Sequence, residues 1–575
     1  MQRIMNNIDP RILNLNFSKD LNVDFVTSTE EFMKGTMFSA DPNANGNLLS
    51  PVKRKWNTTE RDFKTEGLNK LYMELPEKDR DRIIKKVLIN RIYIHDLGDI
   101  YSIYCIALSL APLVREGYES NGVMIIPKDS NEFLHATIEA VTSLSNYIMG
   151  AIALSDFIVY YAEFAKDDGL TDKQIKRDFK SLLLALNNDN RTAGQSPFSN
   201  VSLFSESILH DLFEDYDVDL DNVMRVQKLF AEFFTEDLPN DMPYRFPIST
   251  FNVRAGDEEF LDYVAEKNCQ YGNFNIYLSY ASDNKISMCC RFINELDKID
   301  SFGNGGLNIG SSRVIALNLP HLAILAKGDT EMFNELLQED ITDIIKLHKA
   351  HRKVLWEAAE KGYNKFIKPL GWIRMMNLFA TIGVTGFHEA SMFLNGEPDY
   401  GWMEEIENVI KSTIPSDDEL VYNVEEIPGE GACVKLAKSD KIYFGEDVQP
   451  FHVYSNQFVP LTMDTGIQER INLSSKLVGN LSGGGISHIN THKLSAEGMR
   501  EVIRVAIEAG LPHFAVNYGF TKCSDGHVYP LGNARECTCG AEIEDWYTRI
   551  IGYFVPVSKW NVERQKEFFR RHWEK

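Results

Sequence analysis

RVIALNLP, residues 313–320, is a near-continuous apolar run closed by a proline, the pattern of a buried strand in an α/β core. Around it, from about 270 to 330, short apolar runs alternate with Gly- and Asn-rich turns, and ISMCCRF (286–292) reads as a second buried strand. Downstream, residues 329–366 and 400–412 carry apolar positions at helical spacing. KIYFGEDVQPFHVYSNQFVPL (441–461) returns to strand and loop, and GNLSGGGISHIN (479–490) is a glycine-rich turn ahead of a strand. Residues 494–509 form a helix and HFAVNYGF (513–520) a strand, and a charged helix ends the chain. Upstream, DMPYRFPISTFNV (241–253) is a loop leading into a strand. Residues 100–240 are mainly helical by pattern, with 100–113 a short buried helix, and another helical pattern covers about 77–89. The alternation predicts an α/β fold with a parallel or mixed sheet, open or closed into a barrel.

The chain has 575 residues, enough for two to four domains or for one large α/β barrel with additions. Its formal net charge of −23 argues against nucleic-acid or membrane-surface partners, whose phosphates it would repel, but not against a small anion in a local pocket. Residues 1–15 lack the apolar core of a secretory signal, and no stretch reaches the roughly 18 apolar residues of a membrane span. Eight cysteines are too sparse for a disulfide framework, so a reducing cytoplasm, of a cell or of a virus-infected cell, is the expected compartment.

Several groups carry chemistry. Gly552 sits between apolar residues in TRIIGYF (548–554). It is either a buried bend or the store of an unpaired electron, because a glycine Cα radical is stabilised on both sides by amide nitrogen and carbonyl and is crowded by no side chain. The pattern Arg549-x-x-Gly552-Tyr553 resembles the glycyl-radical enzymes. Cys289 and Cys290 are adjacent, so on a strand only one can face a given pocket. They are either small core hydrophobes or the site of a thiol that exchanges a hydrogen atom with a glycyl radical. GNLSGGGISHIN lacks the Lys-Ser/Thr of a phosphate-binding P-loop, and its glycine amides are at most a weak phosphate contact beside a pocket. His95 and Asp96 are a catalytic pair or, more simply, an anchor for the start of the core.

Read together, ten segments occur in the order found in class III, anaerobic ribonucleoside-triphosphate reductases, which this chain resembles over about residues 40–575. They are YIHDL (93–97), SNYIMGAIALSDF (145–157), FPISTFN (246–252), QYGNFN (270–275), MCCRF (288–292), IALNLPHLA (315–323), ATIGVTGFHEA (380–390), YSNQFVPL (454–461), LSGGGISHIN (481–490) and DWYTRIIGYFVPVSKWN (545–561). The resemblance implies a ten-stranded α/β barrel with helical additions and two finger loops meeting inside. It divides the chain into an N-terminal segment at 1–90 without an ATP-cone, a catalytic barrel at 91–520, and a C-terminal cysteine cluster with the radical loop at 521–575.

It also implies roles. Gly552 matches the radical glycine, Cys290 the thiyl cysteine, Cys105 the second active-site cysteine, and Met288 a methionine of formate-using members. Tyr454 and Asn308 fall where the family places polar active-site groups, with Ser311 an equal claimant for the place of Asn308. Cys523, Cys537 and Cys539 match structural zinc ligands, with His527 as a fourth. Here Gly526 replaces one family cysteine and the second pair is shortened to C-x-C, so a decayed site with free thiols is the alternative. The implied partners are an activating enzyme carrying an iron–sulfur cluster and S-adenosylmethionine, ribonucleoside triphosphates, deoxynucleotide or ATP effectors, formate as reductant with a thioredoxin-type reductant as the alternative, and a second copy in a homodimer. Only 92 residues precede Tyr93 and show no regulatory ATP-binding pattern, so no dATP shut-off is expected. The alternative activity is a carbon–carbon lyase of the pyruvate formate-lyase type, whose members use two adjacent cysteines. The sequence segment IHDL, Cys105 and the terminal cysteines point to the reductases instead.

Overall fold

The computed structural model describes residues 2–17, 57–120, 123–188, 196–213, 218–236, 238, 242–280, 285–287, 293–295, 309–361, 375–417 and 419–574. Ten strands build the central wall: β1 (Cys105–Leu108), β2 (Ile152–Leu154), β3 (Ser199–Phe204), β4 (Ile248–Arg254), β5 (Phe274–Ser279), β6 (Ile309–Asn318), β7 (Leu378–Thr385), β8 (Tyr422–Glu426), β9 (Ser487–Asn490) and β10 (His513–Asn517). Their order is β8-β7-β6-β1-β2-β3-β4-β5-β10-β9. Neighbours run parallel except at β6–β1 and β10–β5, so the wall consists of two five-strand parallel halves set antiparallel to each other. A parallel bridge from Glu425 to Gly484, just ahead of β9, closes the path into the expected ten-stranded barrel. The short strand Ile92–Ile94 pairs with the end of β6.

The glycine-rich stretch is the closing seam. The Gly483 amide donates to the Val424 carbonyl at 2.8 Å, Glu426 N donates to Gly484 O at 3.1 Å, and Ser482 Oγ accepts from Val424 N at 3.0 Å. A Cβ at Gly483 would lie 2.7 Å from Asn423 Nδ2, so glycine is needed for this approach. The stretch thus forms the expected backbone turn, and the Gly483 amide is engaged by the barrel itself rather than left for a phosphate.

Three expectations are corrected. Residues 100–113 are not one helix but β1 followed by the short helix Ala111–Arg115. The mainly helical stretch to 240 also contains β2 and β3, strands of three and six residues whose apolar periodicity is too short to stand out against their flanking helices. In 441–461 no strand forms among the described residues, and the helix Ala432–Phe444 runs into the stretch. Lys285–Ser287 does form a strand, but it pairs with Ile293–Glu295 outside the barrel sheet.

The YIHDL segment is held by Arg313, which is fully buried beside a bulge in β6. Its guanidinium donates to the carbonyls of His95 and Asp96 at 3.1 Å each, of Asp99 at 2.7 Å and of Ser102 at 3.1 Å. Burial, with help from the cations Lys435 and Arg313, pushes His95 down to about 3, so its ring is neutral. This geometry supports the anchoring role for the segment. Among the described residues no helix is long and apolar enough to cross a membrane.

Candidate active site

Successive residues of a strand face opposite sides of the wall, and pairing register carries one face around the barrel. Ala153 pairs with Asn200, Ser202 with Thr250, Thr250 with Asn275, Asn275 with Ala515, Asn490 with Asn517 and Thr381 with Asn423. The other face presents Val201, Leu203, Phe251, Val253, Phe274 and Ile276. The Phe251 ring meets Phe260 and Tyr263 of the surrounding helix Glu258–Tyr271 at 5.9 and 6.4 Å. The apolar face thus points out to the helices and the Asn/Ser/Thr face points into the barrel.

The interior is buried yet polar. Both amide atoms of Asn200 and Asn423, and the Nδ2 of Asn275 and Asn490, have no hydrogen-bond partner among the described residues. A buried unsatisfied polar group costs about 1–3 kcal/mol, so a concentration of them in one interior marks a surface built to receive a polar ligand.

Cys105 belongs to this inward set, two residues before Ala107, which pairs with Ala153. Its Sγ accepts a hydrogen bond from the Ala151 amide at 3.3 Å. A Cβ at Gly150 would lie 2.3 Å from that sulfur, and one at Gly310 would lie 2.3 Å from the Cys105 carbonyl oxygen. Two glycines thereby let the neighbouring strands close around the thiol. Beside it, Ser311 Oγ and Thr381 Oγ1 are 2.7 Å apart.

Gly552 lies in the tip of a hairpin. Strands Ile543–Arg549 and Phe554–Pro556 pair antiparallel through Arg549 and Phe554, and Ile550 N donates to Tyr553 O at 3.1 Å to close the turn. The tip is buried against the barrel mouth. Arg549 Nη1 donates to the Gly552 carbonyl at 3.2 Å and to the inward-facing Asn275 Oδ1 at 2.7 Å, and Nη2 donates to Gly272 O at 3.0 Å. Tyr553 packs its ring on Phe198 and Phe246, which precede β3 and β4. Behind the hairpin, Arg571 donates to the carbonyls of Arg549 and Ile550 at 2.9 and 2.7 Å, and is itself paired with Glu567.

Tyr454 is fully buried, and its hydroxyl donates to Asp440 Oδ2 at 2.9 Å. Asp440 also meets His321 Nδ1 at 2.6 Å and accepts from Asn318 Nδ2 at 2.9 Å. Burial and this carboxylate hold the phenol well above its usual range. Tyr454 is thus committed to a side-chain network with Asp440 and His321 that reaches the barrel through Asn318, the last residue of β6. Met288, Cys290 and Asn308 lie outside the described residues.

At the other end of the hairpin strand stands the cysteine cluster. Cys523 Sγ is 3.7 Å from Cys539 Sγ and 3.7 Å from His527 Nδ1, and Cys539 and Cys537 sulfurs are 3.2 Å apart. With zinc–sulfur bonds of about 2.3 Å, tetrahedral ligands lie about 3.8 Å apart. The three thiols at these separations fit such an ion, with His527 next to Cys523, and the C-x-C spacing is accommodated by a turn in which Gly540 N donates to Cys537 O at 3.0 Å. None of the three cysteines forms a disulfide.

The inward asparagines and Arg549 were not singled out from sequence as site residues. Their signal was the partial polar/apolar alternation in SNVSLF, STFNV and FNIYLS, which separates an inward from an outward face.

Comparison with known proteins agrees with this construction. No curated protein matched the chain. Among solved structures, the anaerobic ribonucleotide reductase of Thermotoga maritima in complex with dATP and CTP superposes with a TM-score of 0.83 at 25% identity, covering 99% of this chain and 98% of that one. The same enzyme with dATP bound in its specificity site gives 0.77 at 25% identity, over 94% and 100% of the two chains. A Roseburia inulinivorans protein of 1,2-propanediol dehydration shares the fold alone, with a TM-score of 0.51 at 11% identity over 100% and 84% of the chains. The reductase reading is favoured over the lyase alternative by these matches and by the anaerobic ribonucleoside-triphosphate reductase family model, which matches residues 54–573. The chain belongs to the anaerobic ribonucleoside-triphosphate reductase family.

Proposed function

We propose that this reductase stores its radical on Gly552 and works through a thiyl on Cys290. The observation that carries the proposal is the buried hairpin tip, on which the Gly552 carbonyl and the inward-facing Asn275 share one guanidinium. A radical-SAM activating enzyme removes a hydrogen atom from Gly552. Gly552 then takes the thiol hydrogen of Cys290, and the sulfur abstracts the ribose 3′-hydrogen. The 2′-hydroxyl leaves as water, eased by the adjacent radical. Formate supplies two electrons near Cys105 and Met288 and leaves as carbon dioxide, so that ribonucleotide, formate and a proton give deoxyribonucleotide, carbon dioxide and water. The protein contributes positioning and exclusion of water and oxygen. The unpartnered amides of Asn200, Asn275, Asn423 and Asn490 supply donors and acceptors for a ribose. Tyr454 and either Asn308 or Ser311 complete the polar surroundings, Tyr454 through Asp440.

The substrates are ribonucleoside triphosphates and deoxynucleotide effectors set specificity, as the dATP and CTP complexes of the Thermotoga enzyme suggest by similarity, and two copies of the chain form the working homodimer. Residues 91–520 act as the catalytic barrel and 521–575 as the module presenting Gly552. In that module Cys523, His527, Cys537 and Cys539 hold a structural zinc, which when bound ties two turns together and stiffens the ribbon. The enzyme works in a reducing cytoplasm.

Cys105→Ser in the activated protein tests the assignment. The glycyl signal should persist while formate-dependent deoxynucleotide formation is lost. Unchanged turnover would remove Cys105 from the mechanism.

A further inference from the structure

Arg549 is a fully buried cation. Among the described residues no carboxylate pairs with it, and its Nε has no acceptor. Its partners are neutral: the Gly552 carbonyl at 3.2 Å, Asn275 Oδ1 at 2.7 Å, the Gly272 carbonyl at 3.0 Å, and the ring of Phe554, 5.1 Å from the guanidinium carbon. Burial lowers it to about 9, which still leaves it charged near neutral pH. Placing an uncompensated charge here is unfavourable for folding. The position invites a functional reason, because one acceptor carbonyl belongs to the residue proposed to carry the radical.

An electron on the Gly552 Cα is delocalised between the amide nitrogen, which donates density, and the carbonyl, which withdraws it. A cationic donor at the carbonyl oxygen strengthens the withdrawing arm, since charge-assisted hydrogen bonds are roughly twice as strong as neutral ones and stronger still away from water. Asn275 and Gly272 fix the guanidinium to β5 and to the residues preceding it, so the donor belongs to the barrel frame as much as to the loop. We propose that Arg549 is a positioning residue for Gly552, whose guanidinium polarises the Gly552 carbonyl and so prolongs the life of a radical stored on the adjoining Cα. The inference rests on Gly552 being the storage residue. It assigns Arg549 a role in keeping the radical, separate from any role in turnover.

Electron–nuclear double resonance of the activated full-length protein, labelled with 15N in the arginine guanidinium, reads the contact directly. The glycyl signal should show a coupling to the guanidinium 15N. Arg549→Gln should lose it and shorten the radical lifetime about tenfold under identical anaerobic conditions, the size of one charge-assisted hydrogen bond. Arg549→Lys, a single-point donor, should fall between in lifetime. A wild-type glycyl signal lacking the guanidinium 15N coupling overturns the proposal whatever the variants do, and so does a wild-type lifetime in Arg549→Gln. A doublet that survives in Gly552→Ala, or no doublet in the wild type with a working activase, refutes the storage residue instead.

Discussion

The two ends of one ribbon solve opposite problems. At one end, Gly552 lies buried in a four-residue turn whose carbonyls are bound by Arg549 and Arg571. At the other, Cys539 is exposed and its sulfur faces Cys523 and Cys537 across 3.7 and 3.2 Å. Strand Ile543–Arg549 joins them, seven residues and about 20 Å long. The buried end can hold reactive chemistry because donors and aromatic rings replace solvent around it. At the surface end Cys523 and Cys537 are buried and Cys539 is exposed, and the three thiols are close enough to be cross-linked by an ion. The difference teaches that the glycine is positioned locally by guanidinium–carbonyl bonds, on a strand whose far end leads to the cysteine cluster.

Gly552→Ala attacks the buried end and should have the largest effect, with radical and deoxynucleotide formation both lost while the circular dichroism spectrum is kept. Retained turnover would break the comparison at once. Cys539→Ser attacks the exposed end. Elemental analysis should show metal affinity reduced by at least about tenfold, with a lower but measurable radical yield. A radical yield equal to wild type in metal-free protein would show that the two ends are independent. Thr548→Ala acts between them. Its buried Oγ1 donates to the Tyr518 carbonyl at 2.8 Å, and the loss should cost about 1–3 kcal/mol in chemical denaturation with little change in radical yield. Glu407→Gln, far from either end, should leave the radical untouched. Burial pushes the Glu407 carboxyl up to about 9. The folded protein therefore keeps a proton that the unfolded chain releases near the ordinary carboxylate value, and wild-type stability falls as pH rises between the two. The glutamine variant escapes that loss, so its advantage should grow by up to about 1.4 kcal/mol per pH unit from pH 4.5 toward 9. An advantage that stays flat with pH would contradict the assignment.

Much of this was legible before any coordinates. RVIALN, STFNV, SHIN and HFAVN all lie on barrel strands, and their long or alternating patterns made them visible. Strands β1 and β2 were hidden because four and three residues carry too little periodicity to be told from helix. Gly552 and Cys105 were found through ordered motifs. Asn200, Asn275, Asn423 and Asn490 were not, because each strand offers only one or two such residues and register alone gathers them on one face. The seam formed by Gly483 and Gly484 was equally invisible, since its partner, β8, lies some 60 residues earlier in the chain. The cysteine cluster could be seen in the sequence, but its fit to a tetrahedral ion depends on distances that spacing does not supply.

The most direct test is anaerobic electron paramagnetic resonance of the activated protein, prepared once with ordinary glycine and once with glycine deuterated at Cα. A doublet split by the single remaining α-proton, collapsing toward a singlet on deuteration and accompanied by formate-dependent deoxynucleotide formation, is the predicted result. A folded, metal-loaded protein that gives no signal with an activase proven on a related reductase, or a doublet unmoved by the deuterium, would contradict it.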